Sequence, residues 1–439
     1  MRIEYHIMLF LVLFPADCIL GQQKCQWTLQ MCIEYALERN IQVRKGELAT
    51  KRSVTALSQA KAQRYPTLNG SFSQNLYWDK SVQEGQNGFN GGNGSSYSVY
   101  SGIELFNGFK ISSQVQQSEL GIESSRYALE TVKESISLSV LDSYLQVLYA
   151  EEKVNNSLKQ IEATEEQLRL AKERLELKII SQADFAQVRS QLSGEKLTLA
   201  NARNQLSVDM IILKQLMELP ADSDMTLNRP EFDNLLKTQS KPDAIRIFET
   251  SLAIRPQIKN ADLNKQIAVL DKKIAAAGYF PSISASAGIT SAYSSANDGT
   301  YFNQLNKGIH PSAGLTLSIP LYQRRQVKSN IENAQINYYD AELSEADTRN
   351  QLRKAIEQAC QELASAQSEY IASIENYEAT REATRLAEEK FTQGLINSVE
   401  YLVSKTNLTV AESQLLQAKY ALIFSSKVLD FYEGVPLTL

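Results

Sequence analysis

Apolar positions along this chain follow two rhythms. Leu68, Phe72, Leu76 and Trp78 share one parity, with Asn69, Ser71 and Ser73 on the other. That alternation is the period of a strand apolar on one side only. Tyr97, Val99, Ile103 and Leu105 form a matching return segment. The pattern comes back in Ile283, Ala285, Ala287, Ile289 and Tyr293, and then in Ala313, Leu315, Leu317, Ile319 and Leu321. Strands are expected over about 66–80, 95–107, 281–294 and 310–322.

Elsewhere the period lengthens to seven. Val140, Val147, Val154, Ile161, Leu168 and Leu175 form one series; Phe185, Leu192, Leu199, Leu206 and Leu213 form another. From Ile111 to Lys178 there is no proline and Gly121 is the only glycine. Helices are expected over about 29–63, 111–178, 182–217, 243–278, 326–392 and 398–432. Sustained heptads mean helices packed lengthwise against partners, and a helix of nearly 70 residues is about 100 Å long. The position after each apolar one in the return helix is small (Ala186, Ser193, Ala200, Ser207), which admits a second neighbour at close range. The opposite seam, Val188, Glu195, Ala202 and Asp209, is mixed.

The chain repeats itself. Tyr65-Pro66-Thr67-Leu68 returns 215 residues later as Phe280-Pro281-Ser282-Ile283, and Leu105-Phe106 returns 216 residues later as Leu321-Tyr322. The Phe185 series returns at the same spacing as Tyr401, Leu408, Leu415, Leu422 and Leu429. A near-constant offset over both halves implies two copies of one structural unit. The expected organisation is a signal peptide at 1–21, a first repeat at 22–219, an inter-repeat segment at 220–242, a second repeat at 243–432 and a tail at 433–439.

Pro66 and Pro281 end helical geometry before each strand pair. The Gly-, Asn- and Ser-rich segments 81–94 and 295–309 are expected as mobile surface loops. Aromatic residues cluster at the strand ends, among them Tyr77, Trp78, Tyr97, Tyr293 and Tyr301. That distribution fits the girdles of a membrane barrel and equally the rim of an ordinary sandwich. The long helices, with neighbours on both sides, favour a cylindrical wall.

At 439 residues, 22% charged and with a net charge of −5, the chain has no basic footprint for nucleic acid. Arg2, the apolar run Ile7–Phe14 and the segment ending at Gly21 resemble a secretory signal peptide. Eight apolar residues are too few for a membrane anchor. Asp17 before Cys18 makes a poor lipid-attachment site. A Cys25–Cys32 bridge requires Cys25 in an irregular lead-in, since seven residues of helix separate two thiols by about 10 Å. Cys360 reads as a small buried thiol.

Four strands cannot close a pore through a bilayer, and an open sheet edge cannot face lipid. Cyclic association, each chain adding its strands to a shared barrel, resolves both problems.

At this point the residues resemble the TolC-like outer-membrane efflux proteins, over roughly Trp27 to Tyr432. The matching pieces are Ala36-Leu37-Glu38-Arg39-Asn40, Tyr65-Pro66, Phe280-Pro281 and Pro320-Leu321-Tyr322. The sharpest is Phe391-Thr392-Gln393-Gly394 followed by Glu400-Tyr401-Leu402. The resemblance implies a mainly α fold with membrane β: a homotrimer with a shared barrel of twelve strands in outer-membrane lipid, continued by a helical tunnel in the periplasm of a Gram-negative cell. It further implies docking through a periplasmic adaptor to an inner-membrane efflux pump or ABC exporter, with no cofactor and no bond made or broken.

In that family the helix-tip turns form the periplasmic entrance. Here they map to about Leu177–Asp184 and Gln393–Glu400. Glu400 falls where the family places an aperture acid, and three copies would make a negative ring. An acid favoured by a helix N-terminus explains Glu400 equally well. The family's second aperture acid falls on Val403. Of the residues that latch neighbouring tips, Asp184 keeps the acid, Phe391 lacks the hydroxyl and Ile396 lacks the charge. Lys178 replaces a tip glycine, whereas Gly394 keeps it. Lys178, Ser181, Gln182, Gln393, Asn397 and Ser398 are expected to be exposed and are adaptor-docking candidates.

After the signal only His310 remains among histidines, and no phosphate loop, dinucleotide glycine pattern or paired-cysteine metal spacing appears. Two non-channel readings compete: an exported coiled-coil scaffold whose strands form a soluble sandwich, and a periplasmic adaptor subunit.

Overall fold

The computed structural model describes residues 26–83, 86–230 and 242–439. The signal peptide, Cys18, Cys25 with its bridge, and most of the second half of the inter-repeat segment lie outside these residues. In chain order the elements are β1 (Gln26–Trp27), α1 (Leu29–Arg39), α2 (Ile41–Ala62), β2 (Thr67–Gln83), β3 (Gln86–Asn107), α3 (Lys110–Glu176) and α4 (Gln182–Leu216). Then come β4 (Thr226–Leu227), α5 (Ala244–Ile254), α6 (Pro256–Ala276), β5 (Ser282–Ser294), α7 (Tyr301–Lys307), β6 (His310–Ser318), α8 (Gln326–Thr392) and α9 (Ser398–Glu433). The protein is mainly helical, and α3 and α8 each run 67 residues.

Two helices expected as continuous are each broken after 11 residues. Asn40 takes an extended ψ of 132°, its amide donates to the Leu216 carbonyl at 2.9 Å, and its side-chain oxygen accepts from the Gln42 N–H at 2.8 Å. The side chain thus caps the restarted helix and competes with helix continuation. At the second break Arg255 is extended because Pro256 follows.

The chain divides into two units. One comprises residues 45–131 and 255–351 and contains a four-stranded antiparallel sheet, ordered β2-β3-β5-β6. Its register places Phe72 opposite Tyr97, Val99 opposite Ile289 and Ala285 opposite Leu315, so the apolar positions of all four strands share one face. That face is bare: Leu68 is 76% exposed, Phe72 59%, Leu76 61% and Leu315 71%. The other face is hydroxyl-rich, with the Ser71–Ser98 and Ser73–Ser96 pairs at 2.7 and 2.6 Å. Among the described residues no strand pairs with the outer edge of β2 or of β6.

Three sheet features depart from the sequence reading. Residues expected as a loop around 81–94 largely continue the hairpin, paired out to Gln83 and Gln86. The other loop carries α7, held by the Ser291 hydroxyl donating to the Leu305 carbonyl at 2.6 Å and by Tyr293 against Tyr301 at 4.6 Å. Strand β6 stops at Ser318, ahead of Pro320, which has no N–H for a ladder. Both strand-to-helix corners use two successive left-handed residues: Gly108 and Phe109 (φ 66° and 64°), then Arg324 and Arg325 (φ 45° and 64°). A side chain at Gly108 would meet the Ala277 carbonyl at 2.8 Å.

The second unit comprises residues up to 44, 132–254 and 352–439. Its core gathers Cys32, Val140, Tyr144, Val147, Leu213 and Ile423, all nearly or fully buried. Burial pushes the Cys32 thiol up to about 12. Short β1 pairs in parallel with β4, and the Tyr144 hydroxyl closes on the Asn228 carbonyl at 2.7 Å. A satellite cluster of Ile161, Leu192 and Leu199, with Val154 and Leu168, continues the heptad seam. Ala202 of the mixed seam is buried, while Ala186, Ser193, Ala200 and Ser207 stay exposed.

Candidate functional site

The two helical turns of the second unit are built from equivalent parts. Helix α3 ends as Lys178 adopts a left-handed φ of 59°, and the Ile179 N–H donates to the Arg174 carbonyl at 2.8 Å. Helix α8 ends at Gly394 (φ 76°), with Leu395 N–H to the Lys390 carbonyl at 2.9 Å. Both are left-handed C-terminal caps. On the far side of each turn a polar side chain opens the next helix. Ser181 and Asp184 form a reciprocal capping box on α4. Asn397 accepts from the Glu400 N–H at 2.9 Å and donates to its carboxylate at 3.1 Å on α9. Asp184 and Glu400 are thus both third-position helix acids, favoured by the helix dipole.

Between the turns the two acids differ. Asp184 accepts from the Ser181 hydroxyl at 2.6 Å and from the Ser398 hydroxyl at 2.5 Å. Those hydroxyls, Ser181 first, hold its carboxyl below the usual range. Ser398 is 5% exposed, so it does not present the free side chain expected of a docking residue: its hydroxyl joins one turn to the other. Glu400, Gln182, Gln393 and Lys178 are exposed, whereas Ser181 and Asn397 are exposed but engaged as caps. Val403 is 54% exposed. Exposed Leu177, Ile179 and Leu395 add apolar side chains to the turns that the sequence reading passed over.

Behind the turns, Phe391 stacks on Tyr401 with centroids 5.0 Å apart and planes 5° apart. Burial pushes the Tyr401 phenol up to about 12, and its oxygen accepts from the Gln167 amide at 2.6 Å. A cavity of about 80 Å³ lies beside the stack, walled by Leu170, Ala171, Ile180 and Val188. One turn further along α9, the Lys405 ammonium is almost fully buried. It donates to Thr164 Oγ1 at 2.6 Å and Gln167 Oε1 at 3.1 Å, and lies 3.8 Å from Glu195. Burial lowers the Lys405 ammonium from its ordinary value, against the opposing pull of Glu195. This network was missed in the sequence, although Glu195 sits on the mixed seam where a charge demanded a partner.

Among the described residues no group of three or more His, Cys, Asp or Glu could hold a metal ion, and no helix is long and apolar enough to cross a membrane. The parts of the site are helical turns with exposed acids, fixed to each other by buried polar contacts.

Comparison with known proteins gives the context. Toxin and drug export protein A of Aggregatibacter actinomycetemcomitans is 20% identical over 90% of this chain and 83% of its own length. Outer membrane protein TolC of Escherichia coli K12 is 24% identical over 70% of this chain and 62% of its own. A crystal structure of CusC superposes with a TM-score of 0.78 at 17% identity, covering 94% of this chain and 93% of that one. The outer membrane efflux protein family matches residues 32–217 and 247–434. With most of its length accounted for by the two matched segments, the chain belongs to the outer membrane efflux protein family.

Proposed function

We propose that three copies of this chain form a continuous exit duct, in which the four-stranded sheets close into one twelve-stranded barrel. The observation that carries this reading is the sheet itself, with a bare apolar face, a hydroxyl-rich opposite face and two edges unpaired among the described residues. Each large apolar side chain left in water forgoes roughly 1.5–3 kcal/mol of burial. Such a face belongs against lipid. An edge strand in lipid has unpaired backbone groups, so β6 of one copy pairs with β2 of the next.

The chain is built as two tandem repeats, about 22–219 and 243–432, joined by an equatorial segment. Helices α3, α4, α8 and α9 supply the periplasmic part of the wall, and the exposed small-residue row on α4 receives a neighbouring helix. The turns at Lys178 and Gly394 form the periplasmic entrance, with Glu400 as its aperture acid and the exposed turn residues Gln182 and Gln393 meeting a periplasmic adaptor. An inner-membrane efflux pump or exporter supplies the energy, and this chain is the passive conduit.

Fractionation and planar-bilayer recording test the reading. The full chain should sit in the outer membrane, cross-link as a trimer and conduct ions. A water-soluble monomer without lipid affinity would refute it.

A further inference from the structure

We propose that Glu104 sets the charge preference of the four-stranded stretch of the lumen, which is otherwise lined by residues without a carboxylate, lysine or arginine. The inference rests on the barrel reading above and follows from register. With the apolar face against lipid, the opposite face lines the passage.

Rows across that face can be read strand by strand. Asn69, Tyr100, Gly288 and Ser312 make one row; Ser71, Ser98, Thr290 and His310 make another. Thr67, Gly102, Ser286 and Gly314 make a third. In the four-stranded part of the sheet this face holds no Lys or Arg, and Glu104 is its sole carboxylate. Glu104 sits opposite Ser284, in a row completed by Thr316, and no β2 residue lies across from it. It is exposed, and the Asn107 amide 3.2 Å away orients the carboxylate. A register shift between Glu104 and Phe106 marks the place where β3 bends toward the helix.

Three such carboxylates at one level make a ring that attracts cations. Elsewhere in the stretch, hydroxyls hydrate cargo of either sign without selecting by charge. Charge selection in the four-stranded stretch therefore depends on this ring, independently of Glu400 at the helical turns; Asp79, on the same face by register, lies beyond it where only β2 and β3 are paired.

The test uses the full-length protein in planar bilayers under a salt gradient, in a Glu400→Gln background. Glu104→Gln should lower the potassium-to-chloride permeability ratio, and Ser98→Asp should raise it. As a second readout, Ser98→Cys should lose current to a water-soluble cationic thiol reagent, while Val99→Cys, on the apolar face, should not. An unchanged ratio for Glu104→Gln in channels that still conduct would overturn the assignment while leaving the conduit reading intact, and so would an unreactive Ser98→Cys. A wild-type chain that does not conduct would overturn both.

Discussion

The ammonium of Lys405 on α9 lies 2.6 Å from the hydroxyl of Thr164 on α3, 241 residues earlier in the chain. The contact is buried, and it brings a positive charge within 3.8 Å of Glu195, whose Oε2 has no hydrogen-bond partner. Removing one member of such a pair strands the other charge in a poorly solvated place. Lys405→Met is therefore expected to destabilise the protein by about 3 kcal/mol. Adding Glu195→Leu should restore most of that loss. Thermal unfolding of the single and double variants measures both steps.

Asp184 predicts a pH dependence with a definite sign. Its carboxyl is held below the ordinary 3.8 by the Ser181 and Ser398 hydroxyls. A depressed folded-state value means that the stabilisation is complete above 3.8 and is lost as pH falls through the folded-state value. The protection of the turn amides, relative to their intrinsic exchange rate at each pH, should fall below pH 3.8 in the wild type. Asp184→Asn should remove that acid-dependent component.

Lys178 and Gly394 hold the same left-handed conformation, at φ 59° and 76°, with different side chains. A non-glycine residue there costs about 1 kcal/mol. Lys178→Gly should slow amide exchange in the first turn by about that amount. Gly394→Ala should speed it in the second, even though nothing lies within 4 Å of the added methyl group.

Glu400→Gln isolates charge from structure. The Asn397 oxygen caps the backbone N–H of residue 400, a bond that does not depend on the carboxylate. The variant should fold and conduct as wild type does, but with weaker cation preference in single-channel recordings. Unchanged selectivity would remove Glu400 from the constriction.

How much of this was legible in the sequence varied with the physics involved. The one-sided sheet could be read from Leu68, Phe72, Val99 and Ile289, because a period of two assigns a face unambiguously. The breaks at Asn40 and Arg255 were overlooked because apolar periodicity continues through them. Only Pro256 and the capping ability of Asn40 announced them. The Ser398–Asp184 contact and the Lys405 network join residues more than 200 positions apart, and no local pattern encodes such a meeting. The mixed seam with Glu195 was the visible trace of the second. The chemistry that filled it came from another helix.

Gly108 with Phe109, and Arg324 with Arg325, carry the chain around its two corners in the left-handed region. The turn out of each strand pair therefore depends on residues held at positive φ. A small torsional error at such a pivot would be multiplied along roughly 100 Å of rod. A proline, whose ring locks φ near about −65°, cannot take any of these four places without undoing the corner in which it stands.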